Sequence, residues 1–159
     1  MKIAVVSDTH RMGKYIKIIN NHIKDSDILI HLGDNIEDIE ELSKGFKGEV
    51  YGVKGNCDFS NIYPSEQILN ISGKKIFITH GHNYGVKSTF NNIFYKGREI
   101  TADIVLFGHT HEHIIFKEEG IIFMNPGSVP LPRSNGRFIG FIEIEEDNLD
   151  VYFKKINVT

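Results

Sequence analysis

Side chains that commonly bind metal ions occur in five short clusters of this sequence, each rich in aspartate, asparagine or histidine. A Gly-Asp or Gly-Asn pair taken alone is ordinary turn chemistry, and a single histidine is equally common at a strand end. Five such clusters in succession are much harder to attribute to chance. The clusters are Ser7-Asp8-Thr9-His10, Gly33-Asp34-Asn35, Gly55-Asn56-Cys57-Asp58, Thr79-His80-Gly81-His82 and Gly108-His109-Thr110-His111.

The residue types indicate which metals would bind. Carboxylate, amide and imidazole ligands without thiolates suit octahedral first-row ions, so we expect Mn²⁺ first, with Fe, Zn, Co or Ni as other choices. A structural zinc site would use several cysteines. Seven candidate ligands are too many for one ion, and they fit two divalent ions that share a carboxylate and lie about 3.5–4 Å apart.

Each cluster directly follows a short apolar run of the kind that forms a buried strand. Apolar residues at helical spacing predict a helix over Lys14–Lys24 and a shorter one from Ile36 to Phe46, so strands and helices alternate and favour a parallel sheet. Because ligands bind beyond the carboxyl ends of parallel strands, the clusters should converge. The predicted strands are Ile3–Val6, Ile28–Leu32, Val50–Val53, Ile76–Ile78 and Ile104–Phe107.

The later part of the chain predicts antiparallel strands. Three hairpins are expected, and a helix of poor periodicity is expected near Val86–Lys96. With the parallel strands, this pattern predicts an α/β fold, a four-layer α/β/β/α sandwich with two packed mixed sheets, formed by residues 1–159 as one domain. The hairpin strands are Gln67–Ile71 with Lys75–Ile78, Ile114–Lys117 with Ile121–Met124, and Phe138–Glu145 with Leu149–Lys155.

Composition excludes several classes of function. The 159 residues carry a formal net charge of −3, which argues against a protein that binds nucleic acid in bulk, so nucleic acid enters only as a substrate. The single cysteine, Cys57, cannot form an internal disulfide. No apolar stretch reaches the ~18 residues of a membrane span, and the N-terminal residues lack a signal-peptide pattern. We therefore expect a cytoplasmic protein without a membrane partner.

The ordered clusters resemble the calcineurin-like metallophosphoesterase superfamily. The short length, the Gly55-Asn56-Cys57-Asp58 variant and Asn125-Pro126-Gly127-Ser128 resemble its small YfcE-like phosphodiesterase branch, and the resemblance runs from Lys2 to about Arg133. It implies the α/β/β/α sandwich, a homodimer or higher oligomer, and two metals bridged by Asp34. By this resemblance the first metal is held by Asp8, His10, Asp34 and His111, and the second by Asp34, Asn56, His80 and His109.

The expected activity is a dinuclear, metal-dependent phosphodiesterase. A small phosphodiester would be hydrolysed by attack of a metal-bridging hydroxide, with Asp34, Asn56 and His82 as the catalytic residues. Relatives that cleave monoesters well usually have histidine where this chain has Cys57, and a thiol is a poor hydrogen-bond donor, so diesters should be preferred. A lone cysteine is equally typical of a small buried side chain without a chemical role.

Each of the remaining candidates has a structural interpretation as well as a functional one. Arg11 and Arg133 could bind the substrate phosphate, although exposed arginines are common. His82 either approaches the phosphate or caps a loop, Asp58 orients a ligand or forms a turn, and His31 is expected to be a buried histidine with satisfied hydrogen bonds. Two other functions stay open: a non-catalytic protein-interaction scaffold, as in a coat-complex subunit of this superfamily, and a phosphomonoesterase.

Overall fold

The computed structural model describes residues 1–158 as ten strands and three α-helices. The helices are α1 (Gly13–Ile23), α2 (Ile39–Leu42) and α3 (Asn91–Glu99). The strands are β1 (Lys2–Val6), β2 (Ile28–His31), β3 (Glu49–Gly52), β4 (Glu66–Ile71), β5 (Lys74–Thr79), β6 (Ile104–Leu106), β7 (His113–Glu118), β8 (Ile121–Pro126), β9 (Phe138–Glu145) and β10 (Asn148–Lys155).

The strands form two mixed sheets of five strands each. In the first sheet the order is β10-β9-β1-β2-β3, and β1, β2 and β3 run parallel. In the second the order is β4-β5-β6-β8-β7, and β5, β6 and β8 run parallel. The three predicted hairpins are present as β4–β5, β7–β8 and β9–β10.

The helices cover the outer faces of the sheets. Ile16, Ile19 and Ile23 of α1 are buried against the first sheet, as the helical spacing predicts. The second predicted helix is present as a 3₁₀ turn, Ile36–Asp38, that runs into α2. The expected helix near Val86–Lys96 starts later, at Asn91, because the preceding residues form a hydrogen-bonded turn in which Ser88 N donates to Gly85 O.

Three apolar clusters fill the spaces between these layers. Aliphatic side chains of both sheets, Ile30 and Ile78 among them, meet between the sheets. A second cluster lies between the first sheet and α1, and a third, rich in phenylalanine, lies between the second sheet and α3. The arrangement is the four-layer α/β/β/α sandwich that the sequence predicts.

The carboxyl ends of the parallel strands are aligned. Val6 is paired with His31 and His31 with Gly52, while Ile78 is paired with Leu106 in the other sheet. Loops from both sheets therefore meet at one edge of the sandwich. None of the helices formed by residues 1–158 has the length and apolar character needed to cross a lipid bilayer.

Candidate metal centre

Two groups of potential metal ligands meet at this edge. In each group, one ligand atom per residue lies within 4.8 Å of every other. Asp34 belongs to both groups, so its carboxylate lies between them. The first group is Asp8, His10, Asp34 and His111, and the second is Asp34, His80 and His109.

Imidazole nitrogens and carboxylate oxygens face one another across the centre. His111 Nε2 lies 3.2 Å from Asp8 Oδ1, and His80 Nε2 lies 3.4 Å from Asp34 Oδ1. His10 Nε2 lies 3.3 Å from the Nε2 of His111 and 3.9 Å from both carboxylates. Such a set of nitrogen and oxygen donors suits divalent first-row ions.

Two of the histidines are oriented by hydrogen bonds from their other ring nitrogen. His80 Nδ1 lies 2.7 Å from the carbonyl oxygen of Leu32, and His111 Nδ1 lies 2.9 Å from that of Leu131. A backbone carbonyl only accepts, so each Nδ1 carries a proton and each Nε2 is the ring atom left to bind a metal. Metal-binding histidines are typically oriented in this way.

Buried atoms without a partner test whether a metal fits. Among the described residues, Asp8 Oδ1 and His80 Nε2 are both buried and have no hydrogen-bond partner. Leaving a buried polar atom unsatisfied costs about 1–3 kcal/mol, so folded proteins rarely do it. Both atoms face the centre of a ligand group, and a cation there would satisfy them.

Left-handed backbone conformations turn these residues toward the centre. Five of the candidate ligands have positive φ, between 50° and 72°, a region that residues other than glycine seldom adopt. Such strain concentrates at functional sites, where the surrounding structure over-determines it. These residues are Asp8, His10, Asp34, His109 and His111.

Glycines let neighbouring loops approach the carboxylates closely. A Cβ atom at Gly108 would collide with Ser7 Oγ and lie 2.9 Å from Asp8 Oδ2. At Gly55 it would collide with Asp34 Oδ1. The glycine in these two clusters is therefore required by the closeness of the loops.

Hydrogen bonds keep both carboxylates ionised. Burial raises the pKa of Asp8, but the nearby imidazoles of His111 and His80 outweigh it, so the pKa is lowered. Ser7 Oγ donates to Asp8 Oδ2 over 2.6 Å. Burial likewise raises the pKa of Asp34, and the interaction with His80 and the N–H of Cys57 lower it well below the usual range.

The histidines of the centre differ in protonation. Burial lowers the pKa of His80, but the two aspartates outweigh it and raise the pKa. The nearby carboxylate of Asp8 raises the pKa of His111. Burial and the charge of His80 lower the pKa of His109 to about 4. Protons on His80 and His111 would be released when a metal binds, because ligands must be deprotonated.

The Asn56 loop is tied to Asp34. Cys57 N donates to Asp34 Oδ1 over 3.0 Å, which places the exposed Asn56 next to that carboxylate. The Asn56 amide nitrogen lies 3.7 Å from Cys57 Sγ. Cys57 is exposed, so the interpretation as a buried side chain is wrong.

Asp58 connects two strand ends rather than closing only its own turn. One of its oxygens accepts hydrogen bonds from Asp34 N at 2.9 Å and Gly55 N at 2.8 Å, and the other accepts from Ile36 N at 3.1 Å. A half-buried carboxylate therefore fixes the loop after β2 to the loop after β3.

The three remaining candidates lie at the rim. The ring of His82 is centred 5.4 Å from that of His80, and its Nδ1 is buried without a partner among the described residues. Arg11 is exposed, and its guanidinium lies 3.5 Å from Glu37. Arg133 is exposed, and its backbone N–H donates to the carbonyl oxygen of His111 over 2.9 Å.

Two supporting residues were not singled out as site residues from the sequence. Buried Asn125, at the end of β8, donates to Gly108 O at 3.0 Å and Thr110 Oγ1 at 2.9 Å. Buried Ser128 donates to the carbonyl oxygen of Asp8 over 2.8 Å. Their position directly after an apolar run, like that of the five clusters, was the signal available.

Comparison with known proteins agrees with this geometry. Residues 1–147 match the family model of the calcineurin-like phosphoesterase superfamily domain. The chain is 36% identical over 135 residues to the probable metallophosphoesterase YsnB of Bacillus subtilis, an alignment that covers 84% of this chain and 78% of that protein.

Solved structures show the same fold. A Streptococcus pneumoniae protein described as a predicted phosphoesterase superposes with a TM-score of 0.81 at 30% identity, covering 97% of this chain and 88% of that one. An archaeal phosphodiesterase superposes with a TM-score of 0.79 at 24% identity, covering 97% of this chain and all (100%) of that one. From its sequence match and its fold, the chain belongs to the calcineurin-like phosphoesterase superfamily.

Proposed function

We propose that this protein is a phosphodiesterase that uses two divalent metal ions. The observation that carries the proposal is the pair of ligand groups that share Asp34. Separate groups would suggest independent structural ions, whereas a shared carboxylate is the arrangement of two-metal hydrolases. The unpartnered buried atoms Asp8 Oδ1 and His80 Nε2 support it.

The proposal assigns a role to each ligand. Asp8, His10, Asp34 and His111 would hold one ion, and Asp34, His80 and His109 would hold the other together with Asn56. When bound, such ions supply positive charge for phosphate oxygens and lower the pKa of water. We favour Mn²⁺, with Fe, Zn, Co or Ni as alternatives, because the donors mix oxygen and imidazole nitrogen.

Other residues would act on the substrate. Asp34 and Asn56 would position the phosphate by fixing the centre, and His82 would contact it from the rim. Burial lowers the pKa of His82, so its ring is neutral at neutral pH and can donate one hydrogen bond. Arg11 and Arg133, both exposed at the rim, would attract phosphate groups of the substrate as guanidinium groups.

Preference for a diester follows from Cys57. Its thiol is exposed beside Asp34, and burial of part of the group, followed by the charge of Asp34, raises its pKa. The thiol therefore stays protonated at neutral pH and is a weak hydrogen-bond donor to a leaving group. A small diester with a good leaving group needs such help least. The archaeal phosphodiesterase of the same fold supports this choice.

We also propose a cytoplasmic location, which the free, exposed thiol of Cys57 supports. That residues 1–159 form a single domain and that the protein assembles as a homodimer or higher oligomer remain predictions from the sequence and its resemblance.

The test is hydrolysis of bis(p-nitrophenyl) phosphate by protein stripped of metal and reloaded with Mn²⁺. We expect Asp34→Asn to reduce the rate by about a thousandfold or more, because both ligand groups lose their shared charge. Asp147→Asn, an exposed aspartate in the β9–β10 turn, is the matched control. Undiminished activity in Asp34→Asn, or no activity in the wild type with any divalent ion, would favour the scaffold alternative. Faster cleavage of p-nitrophenyl phosphate than of the diester would favour a phosphomonoesterase.

A further inference from the structure

A cavity of about 510 Å³ opens beside the candidate metal centre. Thr110, one of its lining residues, stands in the chain between His109 and His111, which belong to different ligand groups. Arg133 also lines the cavity, and its backbone N–H is bonded to the carbonyl oxygen of His111. The cavity therefore lies beside the loop that carries one ligand of each proposed metal.

Two unpaired cations line this cavity. Lys87 and Arg133 are exposed, and neither takes part in an ion pair within residues 1–158. Glu112 is the one carboxylate among the lining residues, so the lining has an excess of positive charge.

The backbone of the wall that carries Lys87 is held in place. Ser88 N and Thr89 N both donate to Gly85 O, at 2.9 and 3.2 Å. The following residue, Phe90, is half-buried and stacks on Phe116 with ring centroids 5.3 Å apart. The cavity thus combines an aromatic wall, exposed hydroxyl groups and fixed backbone, which are features of a binding site for a small organic anion.

We propose that this cavity binds a second phosphate group of the substrate. The substrate class is then an organic phosphodiester that carries an additional phosphate on one arm. Lys87 supplies a compact charge and Arg133 a planar guanidinium that matches phosphate oxygens, while the diester itself lies at the metal centre. This inference rests on the proposed function, because it extends the same site.

The experiment uses two chromogenic substrates that differ by one phosphate group. They are thymidine 5′-(p-nitrophenyl phosphate) and the same compound phosphorylated at the 3′ oxygen. Both release p-nitrophenol, so their kcat/KM values with the Mn²⁺-loaded protein are directly comparable. We expect kcat/KM to be about tenfold or more higher for the phosphorylated substrate. Lys87 and Arg133, which have no ion-pair partners among the described residues, would attract the added phosphate.

Lys87→Gln and Arg133→Gln should each reduce that preference several-fold, mainly through KM. Lys24→Gln is the control and should keep the wild-type preference, because Lys24 is an exposed lysine at the end of α1, which covers the first sheet. Equal kcat/KM for the two substrates in the wild type, or an unchanged preference in both cavity variants, would overturn the inference and leave the phosphodiesterase proposal standing.

A binding measurement separates this inference from the proposed function. Thymidine 3′,5′-bisphosphate is titrated calorimetrically, in the presence of Mn²⁺, into the wild type and into the Lys87→Gln/Arg133→Gln double variant. If neither substrate is hydrolysed, the proposed function fails, and this titration alone decides about the cavity. Binding that is about tenfold weaker in the double variant supports the cavity, while equal affinity or no binding in the wild type rejects it.

Discussion

Cys57 contributes to this centre through both its backbone and its side chain. Its backbone N–H holds Asp34, while its thiol is exposed and free. The two parts of the residue therefore have different roles. A substitution of the side chain should change proton donation to the leaving group and leave the backbone bond to Asp34 in place.

Cys57→His should increase hydrolysis of phosphate monoesters with poor leaving groups. An imidazole can protonate the departing oxygen, and general acid catalysis of this kind is worth about 10²-fold at its lower end. We expect the gain to be larger for phenyl phosphate than for p-nitrophenyl phosphate, measured as kcat/KM with Mn²⁺. Cys57→Ala controls for loss of the thiol. An equal gain in Cys57→Ala would show that the imidazole is not the cause.

At the scale of elements, the strand-end loops are bonded to one another more than to the helices around them. Asp58 joins the loops after β2 and β3, and His109 N donates to Asp8 Oδ2 over 3.1 Å, which joins the two sheets. These bonds hold the ligands close together despite like charges and strained backbones. Metal affinity should therefore depend on residues that would not themselves touch a metal.

Asp58→Ala should weaken Mn²⁺ binding by about 10- to 100-fold, the usual effect of losing a partner of a ligand. Three backbone N–H groups, including that of Asp34, lose their acceptor. Asp58→Asn keeps one acceptor oxygen, so its affinity should be intermediate. Calorimetric titration of metal-free protein with Mn²⁺ measures the effect, with Asp147→Ala as the control. Wild-type affinity in a folded Asp58→Ala protein would contradict this account.

At the scale of the whole molecule, the layers of the sandwich could be predicted from the sequence, and so could the residues that meet at the strand-end edge of the sheets. The five clusters follow apolar runs, and the parallel register brings those runs into line. The start of α3 was not predictable, because Val86 and Phe90 pack as core residues without belonging to a helix. The bonds of Asp58 and Asn125 were not predictable either, because they join loops distant in sequence.

The hydrogen-bond partners of His31 could not be predicted from the sequence either, although its burial was expected. His31 is fully buried, and Gly33 N donates to its Nδ1 over 3.0 Å. Its Nε2 therefore carries the proton and donates to Thr9 Oγ1 at 2.9 Å, and that hydroxyl donates to Asp38 at 2.5 Å. A neutral imidazole thus connects the loops after β1 and β2. A proton added to Nδ1 would face the N–H of Gly33, so the site favours the neutral ring.

This network predicts that the metal-free protein loses stability in mild acid. Burial lowers the pKa of His31 from 6.5 to about 4, although the charges of Asp38, Asp8 and Asp58 raise it. Between those two pH values the unfolded chain binds one more proton at His31 than the folded chain does. The contribution of His31 to the free energy of unfolding is therefore complete above pH 6.5 and declines as the pH falls toward about 4.

From about pH 7 to pH 5, the free energy of unfolding should fall by about 2 kcal/mol more in the wild type than in His31→Gln, measured by urea unfolding with a chelator present. His109, with a pKa of about 4, adds the same pH dependence to the stability of both proteins and so cancels from the difference. His22→Gln, on α1, controls for the removal of an imidazole and should retain most of the wild-type dependence. An identical pH dependence in wild type and His31→Gln would mean that the buried imidazole is not what couples folding to acid.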